Sequence, residues 1–250
     1  MNEAKYNQAA DFYSDFVEKE LSSSTSVLTV VTEQTVIALD DVSGLHVCDL
    51  ACGQGHLSRR LAKLGARVTA IDVSTSLIKR AKQLTPNALK ITYFLDDAQS
   101  LDKIDNGSFD VVVINMALMD IPGHRNVFEN CHRILNSGGA FVFSILHPCF
   151  ESPFNLENPP VESSPSGDFL ACRISQYLEE GHWISGGDGV RGKVGAYHRT
   201  LSTYLNDLIC SGFKIQKVYE PHLQPDTYTT IEAQWLSNIP RGLIIKSCKV

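Results

Sequence analysis

The sequence lacks the features of a nucleic-acid binder, a secreted protein or a membrane protein. Its 22 Lys and Arg are outnumbered by 28 Asp and Glu, giving a net charge of −6, and they do not cluster as a nucleic-acid footprint requires. The opening residues, MNEAKYNQAADFY, contain no basic segment followed by an apolar one, so we expect no secretory signal. No apolar run is long enough to span a bilayer. We therefore expect a cytoplasmic protein with no nucleic-acid or membrane partner.

A disulfide framework and a metal site are not indicated either. The seven cysteines are scattered along the chain and odd in number, which is typical of reduced thiols. Cys48 and Cys52 lie four residues apart but lack a second pair of ligands nearby. We predict that both belong to a buried strand and the turn after it, and we predict no metal.

What the sequence does contain is an alternation of strand and helix patterns. We predict strands at 45–50, 66–72, 90–95, 109–116, 140–146, 213–220 and 241–248. Helices are predicted at 4–20, 25–39, 55–64, 75–84, 122–135 and 200–211. This alternation predicts an α/β fold with a doubly wound, mostly parallel seven-stranded sheet, whose ligands bind at the carboxyl ends of the strands.

The pattern further predicts a single domain over residues 1–250, divided into four parts. Residues 1–40 form an N-terminal helical cap, and residues 45–148 form a cofactor-binding core. Residues 151–197 contain many Pro, Ser and Gly without clear periodicity, so we expect an insertion or lid after the fifth strand. Residues 198–250 complete the sheet.

The most informative segment is VCDLACGQGHLSRRLAKLGARVTAID, residues 47–72. Gly53 and Gly55 follow the first strand, where glycine permits positive φ and close approach of a ligand to the backbone. Asp72 ends the second strand, where a carboxylate can accept both hydroxyls of a ribose. The segment therefore predicts a site for an adenosine-containing cofactor.

Two details of this segment distinguish between cofactors. A dinucleotide fingerprint needs Gly or Ala at the third small position, and this chain has Ser58 there. The turn also begins with Asp49, which suits an ammonium or sulfonium better than a diphosphate. The absence of a Tyr-x-x-x-Lys pair after the fifth strand also weighs against an NAD(P)-dependent oxidoreductase, which is the alternative enzyme.

Five segments together resemble the class I S-adenosylmethionine-dependent methyltransferases: DLACGQG, AIDVS, DDAQSL, NGSFDVVVINMALMDIP and HRILNSGGAFVFSILHP. The resemblance covers residues 45–148 and implies a Rossmann-like methyltransferase fold that binds S-adenosylmethionine. It implies cofactor contacts from Asp49, Ala51, Gly53, Gly55, Asp72, Val73, Leu77, Asp97, Ala98, Asn115, Met116 and Tyr13. Asp96 is an alternative to Asp97 for the adenine amino group, and Tyr6 is an alternative to Tyr13 above the cofactor.

The acceptor side of the site is less defined by the sequence. His147 and His198 are candidate bases, because a histidine that titrates near neutrality can accept a proton. Phe150, Trp183 and Tyr197 are candidates for an apolar acceptor wall. We predict methyl transfer to an O or N atom of a small organic molecule. A non-catalytic cofactor-binding protein is the third possibility, and the oligomeric state is left open.

Overall fold

The computed structural model describes residues 2–151, 153–154, 161–166, 169–184, 189–223 and 231–250. The strands among them are β1 (His46–Leu50), β2 (Arg67–Asp72), β3 (Thr92–Leu95), β4 (Phe109–Asn115), β5 (Leu135–Leu146), β6 (Val161–Ser163), β7 (Phe169–Cys172), β8 (Gly181–Trp183), β9 (Ala196–His198), β10 (Phe213–Tyr219) and β11 (Gly242–Lys249). Seven of them form one sheet in the order β10-β11-β5-β4-β1-β2-β3. The five neighbouring strands β5, β4, β1, β2 and β3 are parallel, whereas β11 runs antiparallel to both β5 and β10. The predicted mostly parallel seven-stranded sheet is confirmed.

The helices are α1 (Asn2–Gln8), α2 (Ala10–Leu21), α3 (Val27–Ala38), α4 (His56–Lys63), α5 (Thr75–Leu84), α6 (His124–Ile134), α7 (Val190–Val194), α8 (Leu201–Cys210) and α9 (Ile231–Asn238). The predicted helix 4–20 is two helices, because the backbone leaves helical geometry at Ala9. Ser74 caps α5 by accepting from the Leu77 amide at 3.2 Å, as its position predicts. Helix α9 lies in a segment for which no helix is predicted from the sequence.

Helices cover both faces of the sheet, which explains why the apolar run of its central strand, β4, is continuous. Val112 and Ile114 belong to one hydrophobic cluster with residues of α6 and α8. Val111 and Val113 belong to a second cluster with residues of α3, α4 and α5. Successive side chains of a strand point to opposite faces, so a strand between two helical layers is apolar at consecutive positions, as residues 111–114 are.

Strand β5 begins earlier than predicted. Leu135 already pairs with Phe109, and a register shift separates that pair from Val111 and Ala140. Ser137, Gly138 and Gly139, which precede the predicted start at residue 140, therefore lie in an irregular part of the strand. Gly139 has no room for a side chain, since a Cβ there would lie 2.9 Å from the Asn136 carbonyl oxygen.

The segment predicted as an insertion, 151–197, lies partly outside the described residues. Its described part contains two antiparallel pairs, β6 with β7 and β8 with β9. At the other end of the chain, α3 packs on β5 and β11 and α1 packs on α5. No helix in the described ranges combines the length and apolar character needed to cross a membrane.

Candidate active site

The turn between β1 and α4 has an unusual backbone. Ala51, Gly53 and Gly55 have φ of 58°, 56° and 77°. A non-glycine residue in this region costs about 1–3 kcal/mol, and such residues concentrate at functional sites. A Cβ added at Gly53 would lie 2.9 Å from the Tyr13 hydroxyl oxygen. The turn is therefore a buried backbone cradle, and at Gly53 only glycine fits beneath the Tyr13 hydroxyl.

Asp72 fixes this cradle from the neighbouring strand. Its Oδ2 accepts a hydrogen bond from the Gly53 amide and its Oδ1 accepts one from the Ser74 amide, each at 2.8 Å. A carboxylate offers about four lone-pair sites, so these two bonds leave acceptor capacity for a ligand. Burial raises the pKa of Asp72. The carboxylate lines a narrow cavity at the carboxyl edge of the sheet.

Asp49 lies beneath the turn rather than in the cavity wall. Its carboxylate accepts a hydrogen bond from the Ser58 hydroxyl, and its side chain is buried. Burial raises the pKa of Asp49 to about 7, against the opposing effect of that hydrogen bond. Ser58, which the sequence showed only as a break in the dinucleotide fingerprint, is thus the partner of the buried acid.

The other side of the narrow cavity is built by residues after β2 and β3. Val73 and Leu77 line it from the start of α5, and Asp96, Asp97 and Ala98 line it from the loop after β3. The Asp97 carboxylate accepts from the Gln99 amide at 2.9 Å. Both predicted candidates for the adenine amino group, Asp96 and Asp97, therefore border the same space.

A hydrogen-bonded chain holds the end of β4. Met116 has φ of 55°, and its amide donates to the Ser144 hydroxyl at 3.0 Å. That hydroxyl donates in turn to Asn115 Oδ1 at 2.8 Å. Asn115 Nδ2 donates to the Thr32 hydroxyl at 3.0 Å and lies 3.5 Å from His56 Nε2. The two sheet strands and the cap helix α3 thus fix the position of Met116.

The cap closes the narrow cavity with two tyrosines. Tyr6 and Tyr13 meet edge to face, with ring centroids 5.9 Å apart. The Tyr6 hydroxyl donates to Asp120 Oδ2 at 2.8 Å. Burial raises the pKa of Asp120 to about 6. About 60 Å³ stays open beneath the cap, which is room for a few water molecules.

A second and larger cavity, of about 440 Å³, adjoins the first. Tyr13, Met116 and Asp120 line both cavities. Asn115 and two of the predicted acceptor residues, Phe150 and Trp183, line the larger one. Six charged or polar residues of its wall were not predicted from the sequence: Glu20, Asp120, Glu151, Arg191, Trp235 and Arg241.

The remaining predicted acceptor residues lie elsewhere. His147 is buried, its Nε2 lies 3.0 Å from Glu220 Oε1, and its Nδ1 accepts from the Cys149 amide at 3.3 Å. Burial lowers the pKa of His147. His198 is buried with its Nε2 2.8 Å from the Tyr177 carbonyl oxygen. Neither histidine, nor Tyr197, is among the lining residues of the two cavities in the described part of the chain.

Known proteins resemble this chain in sequence and structure. A family model described as a methyltransferase domain matches residues 48–143. An uncharacterized protein from Haemophilus influenzae is 26% identical over 96% of this chain and 95% of its own length. A ubiquinone biosynthesis O-methyltransferase from Coxiella burnetii is 37% identical over 112 residues, and the match spans 47% of that relative.

A solved structure from Mesorhizobium loti covers more of the chain. It is described as an S-adenosylmethionine-dependent methyltransferase and is 30% identical to this chain. The superposition covers 87% of this chain and 96% of that one, with a TM-score of 0.72.

Proposed function

The chain belongs to the class I S-adenosylmethionine-dependent methyltransferases, and we propose that it methylates an oxygen or nitrogen atom of a small organic acceptor. The observation that carries this proposal is the junction of the two cavities. Tyr13, Met116 and Asp120 border both the narrow cavity and the larger one. An acceptor in the larger cavity would therefore be separated from a cofactor in the narrow cavity only by these three side chains.

The residues of the narrow cavity fit S-adenosylmethionine. The remaining acceptor capacity of Asp72 would serve the two ribose hydroxyls, and Val73 and Leu77 would enclose the adenine ring. Asp97, or Asp96, would accept from the adenine amino group, and the Ala98 backbone would border it. The bound cofactor supplies a methyl carbon that its sulfonium already activates for displacement.

The amino-acid end of the cofactor would lie along the turn after β1. Ala51, Gly53 and Gly55 would present their backbone to it, and Asp49 would face its positive charge from beneath, directly or through water. Asn115 and Met116 would border the same end from β4, with Tyr13 above it. The left-handed backbone of Ala51 and Met116 gives both residues the geometry to expose peptide groups there.

The chemistry left to the protein is mainly positioning. Holding two reactants at near-attack distance contributes up to about 7–11 kcal/mol in ideal cases. A hydroxyl acceptor must also lose a proton, and Asp120 is the carboxylate at the junction of the cavities. A group whose pKa lies near the working pH is an efficient base, and burial brings the pKa of Asp120 to about 6. The relative from Coxiella burnetii, named for O-methylation, supports oxygen as the acceptor atom.

The decisive experiment measures S-adenosylhomocysteine release. Purified protein is mixed with S-adenosylmethionine and a panel of aromatic and aliphatic alcohols, phenols and amines, with RNA and DNA as separate arms. We expect release with members of the small-molecule panel and none with nucleic acid. Binding of the cofactor without release for any acceptor would favour a non-catalytic cofactor-binding protein. Turnover that Asp120→Asn leaves unchanged with a phenol or alcohol would remove Asp120 as the base.

A further inference from the structure

The two cavities meet at the short turn that follows β4. Residues 117–122, which we call the junction turn, contain a single turn of 3-10 helix, Leu118–Asp120. Asp120 and Ile121 line the narrow cavity, and Met119 and Asp120 line the larger one. A 3-10 turn has poorer hydrogen-bond geometry than an α-helix, so the position of the junction turn depends on contacts from outside it.

Arg199, which lies between β9 and α8, supplies such contacts. Its Nη2 donates to the carbonyl oxygens of Ile121 at 2.6 Å and Pro122 at 2.9 Å. Its Nη1 donates to the Tyr204 hydroxyl at 3.3 Å and lies 3.5 Å from the Leu118 carbonyl oxygen. A guanidinium presents its donors in a fixed planar fork, so one side chain holds carbonyl groups from both ends of the 3-10 helix.

The burial of Arg199 indicates that its charge has a role. The residue is 5% exposed, and no carboxylate in the described part of the chain forms an ion pair with it. Its guanidinium lies 5.2 Å from the Tyr197 ring centroid and 5.7 Å from that of Tyr204. Burying a charge costs free energy, and apolar residues of similar volume often give equal or higher stability. Packing alone therefore does not account for an arginine here.

The carbonyl groups that Arg199 contacts flank Asp120 in the chain. Leu118 lies two residues before Asp120 and Ile121 lies directly after it. The Tyr6 hydroxyl donates to the Asp120 carboxylate itself, whereas Arg199 holds the backbone on both sides of it. On these grounds, and resting on the proposed function, we infer that Arg199 is a positioning residue for methyl transfer, which holds the junction turn and through it Asp120. Such a hold matters because a misplacement of about 1 Å can cost about 100-fold in rate.

Two variants separate the geometry of Arg199 from its charge. Arg199→Lys keeps the charge, but one ammonium group does not reproduce the planar fork, and Arg199→Gln removes the charge as well. Arg133→Lys is the matched control, because Arg133 also donates to two backbone carbonyls, those of Leu101 at 2.9 Å and Ile104 at 2.7 Å. Within the described ranges, neither Leu101 nor Ile104 lines either cavity.

The methionines report on the junction turn without turnover. The sequence contains Met1, Met116 and Met119, of which Met116 directly precedes the turn and Met119 lies within it. Protein labelled with ¹³C-methyl methionine is loaded with S-adenosylhomocysteine, and Met116→Leu and Met119→Leu assign the two signals. We expect both Arg199 variants to shift or broaden the Met119 signal, whereas Arg133→Lys should leave both signals at their wild-type positions.

Kinetics measure the effect on the reaction, with the alcohol, phenol or amine that gives the fastest S-adenosylhomocysteine release. We expect both Arg199 variants to lower kcat by about 10–100-fold. The dissociation constant of S-adenosylhomocysteine should change by less than about threefold, because Asp72, Val73 and Leu77 lie on other elements. Arg133→Lys should leave kcat per folded molecule unchanged. A residue that only stabilised the fold would lower the melting temperature without this split between kcat and the dissociation constant.

Three results would overturn the inference. They are a wild-type Met119 signal and kcat in Arg199→Gln, full rescue of both by Arg199→Lys, and an equal loss of kcat in Arg133→Lys. If neither Arg199 variant folds, Tyr204→Phe decides, because it removes the hydroxyl that accepts from Arg199 but keeps the ring. We expect it to shift the Met119 signal, and an unchanged signal would overturn the inference.

Failure of the proposed function gives a different result. Wild-type protein that releases no S-adenosylhomocysteine with any acceptor would refute the proposed function. The methyl signals need no turnover, so they still decide whether Arg199 holds the junction turn.

Discussion

Replacing Asp72 tests two roles of its carboxylate, which are to hold the glycine turn and to bind the ribose of the cofactor. Each of its oxygens accepts a backbone hydrogen bond, from Gly53 and from Ser74 at 2.8 Å, and the carboxylate keeps acceptor capacity for the ribose hydroxyls. A hydrogen bond to a charged group contributes about 1.5–3 kcal/mol. Asp72→Ala removes both backbone bonds, and we expect it to lower the free energy of unfolding by about 3–6 kcal/mol. Asp72→Asn keeps one acceptor oxygen, and we expect a loss of about 1.5–3 kcal/mol.

The effect of Asp72→Asn on cofactor binding is measured separately from its effect on the free energy of unfolding. Urea unfolding of the cofactor-free protein gives the free energy of unfolding, and calorimetric titration with S-adenosylhomocysteine gives the dissociation constant. We expect the dissociation constant to rise at least about tenfold, since the loss of one charge-assisted bond exceeds about 1.4 kcal/mol. Asp41→Asn is the control, because Asp41 accepts from the Ser43 amide at 2.9 Å in an exposed turn.

Two outcomes would refute this reasoning about Asp72. An unfolding free energy within about 0.5 kcal/mol of the wild-type value would show that the carboxylate does not hold the glycine turn. A reduced stability with an unchanged dissociation constant would show that the carboxylate holds the turn but does not bind the ribose.

Three further predictions concern the turn, its buried acid and His147. Folding raises the pKa of Asp49 to about 7, so the folded chain binds this proton more tightly than the unfolded chain. The stability that the bound proton contributes is therefore lost as the pH rises from about 4 to 7. Asp49→Asn should remove that part of the pH dependence in urea unfolding, and an unchanged slope would contradict the burial argument. Gly53→Ala should lower the free energy of unfolding by about 1–3 kcal/mol. It should also weaken cofactor binding in calorimetry, because its Cβ meets Tyr13. An unchanged affinity would show that Tyr13 moves aside. His147→Ala should lower the melting temperature but not turnover per folded molecule, and loss of turnover at constant folded fraction would restore His147 as a candidate base.

Much of the fold follows from local patterns in the sequence. The turn residues Gly53 and Gly55, the cap residue Ser74 and the unbroken apolar run of β4 each have a local physical cause, so their elements could be predicted. The boundaries of β5 could not, because they depend on the pairing of Leu135 with Phe109. Helix α9 was missed since its pattern is weak and it follows a segment rich in Pro and Thr.

The acceptor side of the site was harder to predict for a related reason. Cofactor residues lie at strand ends, where the order of the strands already places them at one edge. The larger cavity instead combines residues of α2, α3, the insertion and α9, which no local signal connects. His147 illustrates the difference. Its position after β5 is right for a catalytic group, but its ring is hydrogen-bonded to Glu220, which is 73 residues away in the chain.

The position of β11 has a consequence for how the chain acquires its structure. Residues 242–249 lie between β5 and β10 in space, yet follow both in sequence. During synthesis on the ribosome, β5 and β10 are made first, and each has an open hydrogen-bonding edge until β11 emerges and joins them. An open edge of this kind is a site for aggregation, so a chain released before residue 242 would leave one edge of β5 unpaired and β10 without a partner strand.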